Sequence, residues 1–128
     1  MTLVDTSVWV DFFRGWPHAA GLSRLLGDGE VLVHPWVKGE LSLGRLGSKG
    51  RQILDDLDRL PQAPVLRDAE VLRLVEVRRL SGSGIGWVDA QLLGSALIAT
   101  ARLWTFDRRL RRVAGDLGIL RDADSDSL

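Results

Sequence analysis

Four acidic residues, Asp5, Glu40, Asp89 and Asp107, occupy positions that a solvated surface does not readily explain. Asp5 follows the apolar pair Leu3 and Val4, long enough for a buried strand. After it, Val8, Trp9, Phe12 and Phe13 recur at helical spacing. That places Asp5 at the carboxyl end of a strand, the edge where open α/β sheets bind ligands. Asp107 closes a second apolar run, Leu103 to Phe106, in the same way. Glu40 shares a helix side with Trp36, Val37, Leu41 and Gly44, where a carboxylate needs a partner. Asp89 opens the longest apolar helix and shares a face with Leu92, Leu93 and Ala96. Structural roles are also open to these residues. Asp5 and Asp107 are good helix N-caps, as are Thr6 and Ser7, and Asp89 suits a helix N-terminus.

In a parallel sheet, strand ends and the helix starts that follow them lie at one edge. Carboxylates converging there repel each other, so at least one pKa should rise, and a divalent cation relieves the conflict. The chain has no cysteine, and His18 and His34 do not stand at ligand spacing. An oxygen-only set suits Mg²⁺ or Mn²⁺ rather than zinc. Such an ion polarises a phosphoryl oxygen and activates water for in-line attack, which is phosphodiester hydrolysis. His34 ends a strand near the site, but a hydrogen-bonded structural histidine is the simpler reading.

The elements that must position these acids alternate along the chain. Strands are expected at Leu3-Val4, Glu30 to His34, Val65-Leu66, Leu103 to Phe106 and Gly118 to Leu120. Helices are expected after Asp5, over Ala19–Leu26, from Pro35 to Leu46, and from a Ser48 cap to Leu60. Further helices are expected after Asp68, with Val71, Leu72, Val75 and Leu80 inward, over Trp87–Ala101, and from Asp107 to about Ala114. Ser81 to Gly86 alternates glycines but follows no strand, so it reads as a loop and not a dinucleotide fingerprint. The alternation implies an α/β fold, a three-layer sandwich with a central parallel sheet flanked by helices. The 128 residues fit a single domain, with a polar tail from 121 to 128 expected to fray.

Composition narrows the class. A 45% hydrophobic chain is not disordered. Neither a signal peptide nor a bilayer-spanning run is evident, so a cytoplasmic location and no membrane partner are expected. Seventeen basic residues balance seventeen acidic ones, so net charge gives no support to nucleic-acid binding. Distribution says more: fifteen of the basic residues are arginine, with clusters at 78 and 79 and at 108, 109, 111 and 112. Such runs are usually solvated helix faces, although arginine forks also match phosphate oxygens.

Taken together, these residues resemble the PIN-domain ribonucleases, specifically the VapC toxins of toxin–antitoxin pairs. The resemblance rests on Leu-Val-Asp-Thr-Ser-Val-Trp around Asp5, Lys-Gly-Glu-Leu around Glu40, Gly-Trp-Val-Asp-Ala-Gln-Leu around Asp89 and Leu-Trp-Thr-Phe-Asp-Arg-Arg-Leu around Asp107. It spans residues 2 to about 120. It implies a PIN-like sandwich with Asp5, Glu40, Asp89 and Asp107 in one acidic pocket. Asp5 and Asp89 would bind Mg²⁺ directly, with Mn²⁺ as a substitute. Glu40 and Asp107 would complete the coordination or position the attacking water. Ser7 and Thr105 would orient carboxylates. Arg108, Arg109, Arg111 and Arg112 would contact RNA, tRNA or rRNA in such toxins. A VapB-type antitoxin and a homodimer are further implied partners. The segment between Glu40 and Asp89 carries no motif that transfers.

Three other readings share part of this pattern. A signalling receiver domain has an acidic pocket on a parallel sheet, but wants paired acids near the first strand and a late lysine. Thr6 and Ser7 follow Asp5 instead, and Lys38 and Lys49 lie early. An aspartate-nucleophile phosphatase wants an acid where Ser7 stands. A PIN-like domain that only binds partners would not need all four acids.

Overall fold

A computed structural model describes residues 1–122. Strand β1 (Thr2–Val4) leads into helix α1 (Thr6–Phe13), a 3₁₀ turn (Pro17–Ala19) and α2 (Leu22–Gly27). Strand β2 (Val31–Leu32) and α3 (Pro35–Ser42) follow, then α4 (Gly50–Asp58) and α5 (Asp68–Val77). Helix α6 (Trp87–Ile98), strand β3 (Arg102–Trp104) and α7 (Arg108–Asp116) complete the described chain.

The sheet is parallel, in the order β2-β1-β3, with helices around it. Strand order reverses direction at β1, and such a reversal opens a crevice beyond the carboxyl ends of the strands. Asp5 follows β1 directly and therefore stands at that crevice. The strands are short, and burial rather than length holds them. Leu3, Val4, Leu103 and Trp104 are almost fully buried, each side chain contributing about 1.5–3 kcal/mol of transfer free energy. Helix α6 is buried from Ala90 through Ala96, as expected of a helix enclosed on all sides. Its Gly94 permits close approach, since an added Cβ would lie 2.4 Å from Leu66 Cδ2.

Several sequence expectations are corrected. Val65 and Leu66 form no strand. Leu66 instead donates its N–H to Gln91 Oε1 at 2.8 Å and accepts from Gln91 Nε2 at 3.1 Å, so a side-chain amide replaces a neighbouring strand. The outer sheet positions are single parallel bridges, Val33 to Gln62 and Leu103 to Leu120. The helix expected over Ala19–Leu26 is divided between the 3₁₀ turn and α2. Helix α3 stops at Ser42, before Gly44. Ser48 caps nothing and lies in a 3₁₀ turn (Gly47–Lys49). Leu72 is 59% exposed rather than inward. Arg121 belongs to the sheet edge, donating its N–H to the Leu103 carbonyl at 2.8 Å and lying over the Trp104 ring. The rest of the expected tail, 123–128, lies outside the described residues. Among the described residues no helix is long and apolar enough to cross a membrane.

Candidate active site

Asp5 is fixed from both sides. Its N–H donates to the Trp104 carbonyl at 2.9 Å, carrying the β1–β3 pairing one residue past the strand. Its backbone is the N-cap of α1, but its side chain makes no capping bond. The carboxylate is buried, and Oδ2 accepts two hydroxyl protons, from Ser7 Oγ at 2.8 Å and Thr105 Oγ1 at 2.7 Å. Each hydroxyl accepts a backbone N–H in turn: Phe106 to Ser7 at 3.0 Å and Asp107 to Thr105 at 3.1 Å. The turn after β3 thus delivers two amide dipoles to one carboxylate oxygen through two hydroxyl relays. Such donors lock the carboxylate's rotamer.

Asp89 lies in the first turn of α6, where Gly86 N–H donates to its Oδ2 at 3.0 Å. Burial pushes its carboxyl pKa up, the Gly86 bond opposes that, and the charges of Asp5, Asp107 and Glu40 raise it further. Acids from β1, α3, α6 and the β3–α7 turn therefore act on one point. They are not drawn together to ligating spacing. Among the described residues, no three acidic or histidine side chains form a group that could enclose an ion. The two observations differ in range, because a field reaches further than a coordination bond.

Asp107 and Glu40 are exposed. Asp107 caps α7, with Oδ1 accepting the Leu110 N–H at 2.9 Å. The expectation that Glu40 points into packed apolar structure is corrected: it faces the site, and Thr6 Oγ1 donates to its Oε1 at 2.7 Å. Thr6 and Ser7 are thus spent on carboxylates rather than on capping. All four acids share one pattern. Asp5 Oδ2, Glu40 Oε1, Asp89 Oδ2 and Asp107 Oδ1 take the protein's hydrogen bonds. The other oxygen of each receives none among the described residues.

The α7 arginines divide. Arg112 Nη2 donates to the Ser83 carbonyl at 3.0 Å, and Arg109 Nη1 reaches the Gly84 carbonyl at 3.5 Å. Gly84 has a positive φ of 86°, and an added Cβ would lie 2.9 Å from Arg109 Cδ, so this glycine lets the arginine lie on the loop. The loop runs directly to Gly86, the donor to Asp89. Arg111 Nη1 donates to the Thr105 carbonyl at 3.2 Å. Arg108 is exposed and makes no hydrogen bond or ion pair among the described residues.

Sequence reasoning missed Thr6 as the partner of Glu40 and Gln91 as the buried hub beneath the site. Gln91 accepts from Ser95 Oγ at 3.2 Å and lies 3.4 Å from His34 Nε2, besides pairing Leu66. His34 is buried, caps α3 through Nδ1, and has its pKa lowered by burial, partly offset by Gln91. It holds the entry to α3 rather than joining the acids.

The PIN domain family model matches residues 2–116, a span containing all four acids. Ribonuclease VapC32 of Mycobacterium tuberculosis, in the CDC 1551 and H37Rv strains, is 50% identical over 120 residues, covering 93% of this chain and 94% of that one. The crystal structure of PAE2754 from Pyrobaculum aerophilum superposes with a TM-score of 0.64, covering 97% of this chain and 90% of that one. At 17% identity that likeness speaks to the fold alone. With half its residues shared with VapC32 across nearly the whole of both chains, this chain belongs to the PIN-domain family, among its VapC-type ribonucleases.

Proposed function

We propose that the chain is a Mg²⁺-dependent endoribonuclease, the toxic member of a toxin–antitoxin pair, which hydrolyses phosphodiester bonds in structured RNA such as tRNA or rRNA. The observation that carries this reading is the shared pattern of the four carboxylates. Each spends one oxygen on the protein and keeps the other without a hydrogen bond among the described residues. That is a set of positioned hard oxygen donors, the type that Mg²⁺ and Mn²⁺ prefer.

Asp5 and Asp89 are the direct ligands in this reading. Asp5 presents Oδ1 because Ser7 and Thr105 hold Oδ2. Asp89 has the raised pKa of a carboxyl that gains from a nearby cation. When bound, the ion supplies polarisation of the phosphoryl oxygen and a water of lowered pKa. Glu40 and Asp107 would orient the attacking water and accept its proton. Arg108 meets the RNA backbone as a free fork, while Arg109, Arg111 and Arg112 act on RNA partly through the loop and turn they hold.

A VapB-type antitoxin, a homodimer and a cytoplasmic setting complete the reading. A groove of about 250 Å³ beside Glu40, lined by Val10, Phe13, Leu41 and Leu46 together with Arg14 and Arg45, offers both apolar surface and positive charge to a partner segment. The test is cleavage of total tRNA and rRNA by purified protein with Mg²⁺, with Mn²⁺ and with chelator. Cleavage with either ion and none with chelator is expected. Undiminished cleavage in chelator contradicts the reading.

A further inference from the structure

Four rings form a row beside the carboxylates. Trp104 is buried in β3, and its ring meets Phe106 edge-on at 6.0 Å. Phe106 lies between Thr105 and Asp107 in the chain, and its N–H holds Ser7. His18 meets Phe106 edge-on at 4.9 Å, and Asp11 fixes its Nε2 at 2.7 Å. Trp16 stacks on His18 at 6.0 Å with the ring planes 19° apart, and is 52% exposed. No ring covers the other face of Trp16 among the described residues.

An exposed tryptophan braced through three further rings to the sheet offers a pre-positioned aromatic face, the kind of surface on which an unpaired base stacks. Its place indicates what it contacts. The His18 ring lies 4.9 Å from Phe106, the chain neighbour of Asp107, and the Trp16 ring lies 6.0 Å beyond His18. Stacked nucleotides advance by about 3.4 Å each. A base two or three nucleotides from a phosphate held at Asp5 falls within reach of this row. Unpaired bases stack on aromatic faces whatever their sequence.

We propose that Trp16 and His18 form a stacking subsite that grips an unpaired nucleobase of the RNA two or three nucleotides from the cleaved phosphate. The proposal rests on the nuclease reading and adds a substrate requirement to it: the cleaved region carries at least one base free to leave its helix. Phe106 acts by bracing His18, and Asp11 by fixing its ring.

The test measures binding of a short single-stranded RNA of mixed sequence, and of the same sugar-phosphate chain with its bases removed. Both are titrated against the Asp5→Asn chain, which suppresses cleavage, with Trp16 intact, Trp16→Phe or Trp16→Ala. Trp16→Ala is expected to weaken binding of the intact RNA by about 5- to 100-fold and leave the abasic chain unaffected. Trp16→Phe is expected to stay near the parent. Equal weakening for both ligands, or none for the intact RNA, overturns the subsite while leaving the nuclease reading in place. A parent that binds neither ligand overturns the subsite, whereas undiminished cleavage by the wild type in chelator is what overturns the nuclease reading.

Discussion

Thr105 Oγ1 lies 2.7 Å from Asp5 Oδ2, across 100 residues of sequence, and donates its proton to it. The same hydroxyl accepts the Asp107 N–H. One buried threonine therefore sets both the carboxylate that ends β1 and the turn that carries the fourth acid. Thr105→Val keeps the shape and removes both bonds. A hydrogen bond to a charged group is worth about 1.5–3 kcal/mol, so the variant should lose that much stability in denaturant titration. Its cleavage rate should fall further than stability alone explains, because Asp5 then keeps only the Ser7 hydroxyl to set its rotamer. A variant with wild-type activity at full occupancy of the fold would deny Thr105 any orienting role.

The raised pKa of Asp89 has a defined sign. Its folded form binds a proton more readily than the unfolded chain does, so folding stability falls as pH rises from the unfolded carboxyl value through the raised folded one. Asp89→Asn removes this dependence. In chelator, the melting temperature of the wild type should fall over that interval more than that of the variant. Near neutral pH the variant should be the more stable by a few degrees, the usual cost of a functional charge cluster. Cleavage with Mg²⁺ should require the ionised form and be lost in Asp89→Asn. Parallel melting curves for the two proteins would show that neither burial nor the neighbouring acids raise the Asp89 carboxyl in the folded chain.

Arg108 and Arg112 separate by mechanism. Arg108→Ala should weaken RNA binding at all sequences and lower the slope of log K against log salt by about one. Arg112→Ala should change that slope less. It releases the Ser83 carbonyl and so loosens the segment that ends at Gly86, the donor to Asp89. Its effects should appear as a lower kcat and faster amide exchange at 83–86. Equal salt slopes for both variants would assign them one shared role on phosphate.

Gln91→Leu tests the hub beneath the site. Leucine matches the apolar surroundings, but leaves the N–H and C=O of Leu66 without their partners. Two unmet buried backbone groups cost about 2–6 kcal/mol. Chemical denaturation should show that loss, and a neutral result would mean water readily replaces the amide.

Asp5, Asp89 and Asp107 stand out in the sequence because each directly follows a strand or opens a helix, where local pattern is strongest, whereas Glu40 lies inside α3 and stands out only for its apolar neighbours. The parallel α/β architecture followed from the alternation of elements. What local pattern could not show is contact across long separation. Val65 and Leu66 look like a strand until Gln91, 25 residues away, takes the hydrogen bonds a strand would have made. Glu40 looks buried because Val37 and Leu41 flank it on α3, yet its own position opens to the site and to Thr6. The α7 arginines form one run in sequence, but helical rotation sends two to the glycine loop, one to Thr105 and one to solvent.

The central claim is that Asp5 and Asp89 hold the ion on which cleavage depends. Calorimetric titration of Mn²⁺ into the wild type, Asp5→Ala, Asp89→Ala and Arg108→Ala tests it without RNA. Binding should be present in the wild type and Arg108→Ala and lost in both aspartate variants, with all four folded by circular dichroism. Mn²⁺ binding of wild-type strength in Asp5→Ala or Asp89→Ala would contradict the account.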